Sequence, residues 1–208
     1  MPHILYVTPA FVLATRNVGE SSRAMALMTK DLGRLDVRAQ GVRELQSKLR
    51  YVLQRSFYVR ASLIRGREFW RVISADEIFD FPRLRSDVHK QNLYARMLAL
   101  INRFGGEMRD HKLFEELEES VRFLDREVLN SQELRRFEIL FALRFMHRLG
   151  YVGRAGVSFL PTGQAGGIPV PGPLVESHEV TKEALVRLEN CESAAVSIIN
   201  ESIRVSHL

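Results

Sequence analysis

Apolar and polar residues alternate with a period of two through much of the first third of the chain. In Arg34–Gln40, Leu35, Val37 and Ala39 fall on one side and Arg34, Asp36, Arg38 and Gln40 on the other. That is the pattern of a strand with one face on a core and the other in water. Ser56–Ile64 repeats it, setting Phe57, Val59, Ala61 and Leu63 against Tyr58, Arg60 and Ser62. Further strands are predicted at 10–16, 24–29 and 68–74, although the Met and Ala content of 24–29 also suits a helix. Asn17-Val18-Gly19, Asp31-Leu32-Gly33 and Arg65-Gly66-Arg67 supply the turns. Between the third and fourth strands, Leu45, Leu49, Val52 and Leu53 have helical spacing, so Val42–Arg55 is either a short helix or an ordered basic loop.

Five short strands separated by turn signals indicate a small barrel or sandwich. An insert after the third of five strands is the layout of an OB-fold, whose strand face and flanking loops bind single strands. After Pro82 the period becomes helical, first in Leu93, Met97, Leu100, Ile101 and Phe104, then in Leu113, Leu117, Val121, Leu124 and Val128. Asn130 with Glu133 has the form of a capping pair opening a third helix that ends at Gly150. This helix is apolar nearly all round, which marks it as central and buried. Residues 153–173 are rich in Gly and Pro and read as a loop; Thr181 then caps a last helical region containing Leu185 and Leu188. The expected class is α+β, with an N-terminal five-stranded OB-fold barrel over 1–80 and a helical domain over 81–208.

Composition changes this picture in one respect. The 208 residues are 46% hydrophobic and 26% charged, ordinary for a globular chain, and the net charge is +5. Its placement is uneven: residues 1–75 carry 13 Lys/Arg against 5 Asp/Glu (+8), and the remainder 17 against 20 (−3). A basic N-terminal part favours a polyanionic partner, because Lys and Arg on phosphate release counterions. The alternative is a solvated basic surface without a dedicated ligand. One cysteine, Cys191, excludes an internal disulfide framework or a Cys-based zinc site within one chain, and a reduced cytosolic setting is the simplest expectation. The apolar run Ile4–Leu13 is broken by Thr8 and Pro9 and makes a poor signal peptide; no stretch has the length of a membrane span.

No catalytic constellation stands out. Asp76, Glu77 and Asp80 suggest a nuclease metal cluster, but no further carboxylate or histidine joins them at ligand spacing, and a solvated junction surface explains them. His111, His147, His178 and His207 have no partners at ligand spacing, and Cys191 has no nearby His. Gly163–Gly167 lacks the Lys-Ser/Thr of a phosphate loop. The helical part could offer an apolar groove with a basic rim to an acidic peptide, with Arg135, Arg136, Arg144 and Arg148 as candidates.

The order of short motifs resembles the RecO family of bacterial recombinational DNA repair proteins, of the RecFOR pathway. The matching pieces are Val12-Leu13 with Gly19-Glu20, Thr29-Lys30 with Gly33-Arg34, Gly41-Val42-Arg43, and Ser47-Lys48-Leu49-Arg50. Ala75-Asp76-Glu77, Phe81, Leu84-Arg85, Phe137-Glu138 and Leu149-Gly150-Tyr151 follow in order. The resemblance implies an OB-fold followed by a helical domain, in a cytoplasmic, nucleoid-associated protein. It implies binding of single- and double-stranded DNA, annealing of complementary strands, and no enzymatic turnover. The implied partners are RecR and the acidic C-terminal tail of single-stranded DNA-binding protein (SSB), in loading RecA on coated strands. Many relatives carry a four-cysteine zinc module after Leu-Gly-Tyr; here the loop at about 151–178 keeps Phe159 and Gly166-Gly167 but no cysteine, so no metal or other cofactor is expected.

On this basis Arg16, Arg34, Arg38, Arg43, Lys48 and Arg50 are expected to neutralise DNA backbone, with Arg60 and Tyr58 adding contact or stacking on the barrel face. For each arginine the alternative is solvation, and for Tyr58 and Trp70 it is packing. A non-enzymatic protein-interaction adaptor with incidental DNA contact remains the second reading, and a metal-dependent nuclease the third.

Overall fold

Each alternating stretch becomes a strand, and the strands close on themselves. The computed structural model describes residues 4–42, 47–55, 58–105, 111–152, 170–177 and 179–205. Strands β1 (Leu5–Val18), β2 (Ser22–Thr29), β3 (Gly33–Ala39), β4 (Tyr58–Arg65) and β5 (Trp70–Phe79) form a closed barrel in the order β1-β2-β3-β5-β4. Helix α1 (Lys48–Arg55) lies between β3 and β4 in the chain, so the undecided insert is a helix from Lys48 onward. This is the OB-fold arrangement. Its neighbours pair antiparallel except β3 with β5, which pair in parallel through Val37–Trp70 and Arg38–Arg71.

The inward residues are those the alternation selects. Met25, Leu27, Val37, Ala39, Val59, Ala61, Leu63, Val72 and Ala75 fill the barrel, and Leu49, Val52 and Leu53 of α1 pack against them. Burial of the valine, leucine and methionine side chains contributes roughly 1.5–3 kcal/mol each. Two strand limits differ from expectation. β1 begins at Leu5 and runs through Pro9, pairing with β4 over its first half and with β2 over its second, and a register shift between Val12 and Ala14 lets one strand serve both. β5 begins at Trp70 and continues to Phe79, so Asp76 and Glu77 are strand residues. In the β4–β5 turn a Cβ on Gly66 would come within 2.8 Å of the Phe69 carbonyl oxygen, so only glycine fits there.

The helical part comprises α2 (Pro82–Ser86), α3 (Val88–Phe104), α4 (His111–Arg126), α5 (Ser131–Arg148), α6 (Gly172–Glu176), α7 (Lys182–Glu189) and α8 (Glu192–Val205). Together these elements make the α+β fold of an OB barrel followed by helices. The chain divides into two compact units, Met1–Pro82 with Leu98–Glu115, and Arg83–Met97 with Glu116–Leu208.

In the second unit α5 packs against α6, α7 and α8 with Phe137, Ile139, Leu140, Phe141, Leu143, Phe145 and Met146 buried, as expected of a central helix. Asn130 accepts from the Gln132 and Glu133 amides while the Glu133 carboxylate accepts from the Asn130 amide, a complete capping box. At the other end Gly150, at φ +82°, lets its amide reach His147 O and the Tyr151 amide reach Met146 O. Thr181 caps α7 through the Ala184 amide. The last helical region, read as one, is two helices, α7 and α8, and α6 lies inside the stretch of about 151–178 read as loop. Val128, assigned to the apolar face of α4, lies past its end and is 80% exposed.

Candidate nucleic-acid interface

On the outer wall of the barrel the register sets four residues in one line. Arg16 of β1 pairs with Ala24 of β2, Ala24 with Arg38 of β3, and Arg38 with Arg71 of β5. Register partners point to the same face, and neighbouring strands lie about 4.8 Å apart. Arg16 and Arg38 are therefore roughly 10 Å apart across the intervening alanine, with Arg71 beside Arg38. The three guanidinium groups make no ion pair among the described residues. Arg38 stacks over the Phe69 ring at 4.1 Å, and Arg71 Nε is buried without a hydrogen-bond partner in this structure.

Beside this row the wall sinks into a groove of about 420 Å³. Its floor includes Ala14, Ala24 and Ala26, where methyl groups leave the sheet open, and Arg16, Arg34, Asp36 and Asn102 also line it. Arg34 is not free. Its guanidinium holds Asp36 through both nitrogens at 3.2 and 3.3 Å and also donates to Asn102 Oδ1 at 3.2 Å. With Asp36 beside it, Arg34 shapes one end of the groove and contributes little net charge.

The remaining sequence candidates divide sharply. Arg50 is half-buried on α1; Lys48 begins that helix, but its side chain is outside the described set; Arg43 lies outside the described residues altogether. Arg60 is exposed on β4 directly across from Asp76 of β5, so an opposite charge tempers its field. Tyr58 requires correction. Alternation puts it on the outer face, and so it is, yet that part of the wall is covered and Tyr58 is only 4% exposed. Its ring stacks on Phe11 at 4.4 Å and packs near Phe81 and Phe114, Phe114 coming from the first turn of α4 within the same unit. It cannot stack on a base. Trp70 packs edge-on to Tyr6 against the core.

Sequence reasoning missed Arg71 and Phe69. Arg71 fits the outward alternation of β5, but only the parallel β3–β5 pairing brings it to Arg38.

In the helical unit the four candidate arginines have different fates. Arg144 is 2% exposed, and its guanidinium donates to the carbonyl oxygens of Leu174 at 2.9 Å and Glu179 at 3.1 Å. Burial pushes its pKa down while the nearby Glu116 charge works the other way. It is a clamp on the α6 segment and cannot sit on a groove rim. Arg148 is bonded to the buried Glu116, and Arg136 holds Glu189 and Glu192. Arg135, paired with Glu192 at 2.8 Å, borders a groove of about 200 Å³ shared with Leu93, Arg96, Leu134 and Glu138. Among the described residues no group of His, Cys, Asp or Glu gathers as metal ligands, and no helix is long and apolar enough to cross a membrane.

Residues 1–79, the whole barrel, match the family described as Recombination protein O N terminal. The chain belongs to the RecO family. It is similar to the DNA repair protein RecO of Heliobacterium modesticaldum, 31% identical over 147 residues, covering 71% of this chain and 52% of that protein. The RecO of Alkaliphilus metalliredigens is 28% identical over 138 residues, covering 65% and 56%, and that of Desulforudis audaxviator 34% over 102 residues, covering 49% and 41%. The chain thus spans about half the length of the RecO proteins it matches.

Proposed function

We propose that this RecO-family chain is a non-enzymatic mediator of DNA repair and recombination that holds single- and double-stranded DNA on its barrel wall and anneals complementary strands. The observation that supports this most is the row Arg16–Arg38–Arg71 beside an open groove on the β2–β3 side, the face on which OB-folds take oligonucleotides. Two strands repel through their phosphates, and a cationic wall that binds both lowers the repulsion and raises their local concentration. No side chain needs to react. Arg43, Lys48 and Arg50 are proposed as a second backbone contact, on their place in the family motif. The proposed partners are RecR and the acidic tail of SSB, in loading RecA, in a bacterial cytoplasm at the nucleoid. For the acidic tail the groove at Arg96 and Arg135 is the proposed seat, where a peptide carboxylate has to displace Glu138 and Glu192 from these arginines.

The test is annealing of complementary oligonucleotides with and without protein across a salt series. Annealing should be accelerated at low salt, and the acceleration should fade steeply as salt rises. Changing Arg43, Lys48 and Arg50 together to alanine should lower both binding and annealing, and parental behaviour of that variant would remove those three from the site.

The exposed apolar side chains Leu5 (55%), Val7 (55%) and Ile73 (50%) on another part of the barrel wall favour a second reading, an adaptor that grips a protein. In that case RecR capture survives near-physiological salt while DNA binding does not.

A further inference from the structure

Aromatic rings are what single-strand-binding barrels offer to bases. No described aromatic side chain of this barrel lies in the groove, although Phe79, elsewhere on the wall, is 42% exposed. Tyr6 and Trp70 meet edge to face at 5.2 Å; Phe11, Tyr58, Phe81 and Phe114 form one cluster; Phe79 packs against Phe81 at 4.8 Å. Phe69 spends a ring face on the Arg38 guanidinium. The described groove lining contains no ring, and its floor is alanine.

We infer that Phe69 is a positioning residue that holds Arg38 for a phosphate, and that the groove and its arginine row bind the phosphodiester backbone without stacking the bases. The inference rests on the nucleic-acid function proposed for this wall. A guanidinium stacked on a ring keeps its N–H edge outward in a fixed plane, the geometry a phosphate takes in a bidentate contact. Arg71 stands beside it, and Ala24 leaves the strand between Arg16 and Arg38 without bulk, so a backbone can lie across the row. A base arriving there meets methyl groups and polar side chains but no ring to stack on.

The experiment titrates the full chain against three labelled strands of equal length by fluorescence anisotropy: oligothymidylate, a mixed sequence, and an oligomer made wholly of abasic sites. Affinities should agree within about threefold, since each strand presents the same phosphates. An abasic strand bound more than about tenfold weaker would mean that stacked bases carry the binding, and would overturn the inference while leaving DNA binding intact. Binding of none of the three would overturn the inference together with the function it rests on. Phe69→Leu should weaken binding to all three strands alike, by roughly threefold, as loss of an exposed cation–π contact does. In an Arg38→Ala background the same change should have no further effect. Loss confined to base-bearing strands, or an undiminished loss without Arg38, would overturn the role given to Phe69.

Discussion

In the barrel unit Arg16, Arg38 and Arg71 stand in a row on the outer wall and make no ion pair among the described residues, whereas in the helical unit Arg96, Arg136 and Arg148 each end on a glutamate. Arg135 on Glu192 follows the helical pattern. The same side chain therefore has two uses. With a carboxylate at hydrogen-bond distance its charge is cancelled locally and its rotamer is fixed, so it joins helices to one another. With no carboxylate beside it the charge projects into solvent, where its natural partner is a mobile polyanion. The charge imbalance along the chain, +8 in residues 1–75 and −3 beyond, is the sequence-level trace of this division.

The greatest expected effect falls on the most deeply buried of the helical arginines. Arg144→Ala deletes two bonds to carbonyl oxygens and leaves Glu116 with less compensating charge, so unfolding in urea should show a loss of about 3–5 kcal/mol. A loss below about 1 kcal/mol would mean that Arg144 is not the clamp its burial suggests.

Removing the row should act in the opposite manner. Arg16→Ala, Arg38→Ala and Arg71→Ala together should weaken DNA binding at least tenfold and lower the salt slope by about 2, with stability changed by only about 0.5 kcal/mol per site. Binding isotherms at several salt concentrations, beside a melting curve, check both halves. If stability collapses instead, these arginines belong with the helical group.

Arg96→Ala breaks a pair with Glu138 that is exposed on both sides and should cost about 0.2–1 kcal/mol, leaving DNA affinity unchanged. Smaller still is the pH response of Glu127. The hydrogen bond from Arg126, aided by the Lys182 charge, holds its carboxyl below the usual carboxylate range. A depressed folded pKa stabilises above the ordinary glutamate value, and the contribution is lost as pH falls through the folded one. Comparing acid-side melting curves of the parent and Glu127→Gln should show the variant flatter below that ordinary value; parallel curves would show no such linkage.

What could be read from the chain follows the range of the interactions involved. The alternation in 34–40 needs only neighbouring residues, and β3 has the inward Val37 and Ala39 and the outward Asp36 and Arg38 it implies. The capping box at Asn130–Glu133 and the left-handed Gly150 lie within single helical turns, and both stand as expected. The barrel was visible because its strands carry the pattern separately and the insert of α1 falls where that topology needs it.

The site was visible only in outline, because alternation says which side of a strand a residue occupies but not what lies above it. Tyr58 and Arg38 share the outward pattern, yet Phe114 covers one and solvent meets the other. Arg144 and Arg135 share a helix and a charge, yet one is sealed beneath the α6 segment and the other borders a groove. Arg71 joined Arg38 through a parallel pairing between residues 33 positions apart, which no local spacing encodes. The sequence by itself thus determined the elements, their inner faces and the basic character of the first unit, since these depend on side-chain type and near neighbours. Only the tertiary structure decided which arginines remain without carboxylate partners, because that depends on which segment of chain packs over each of them.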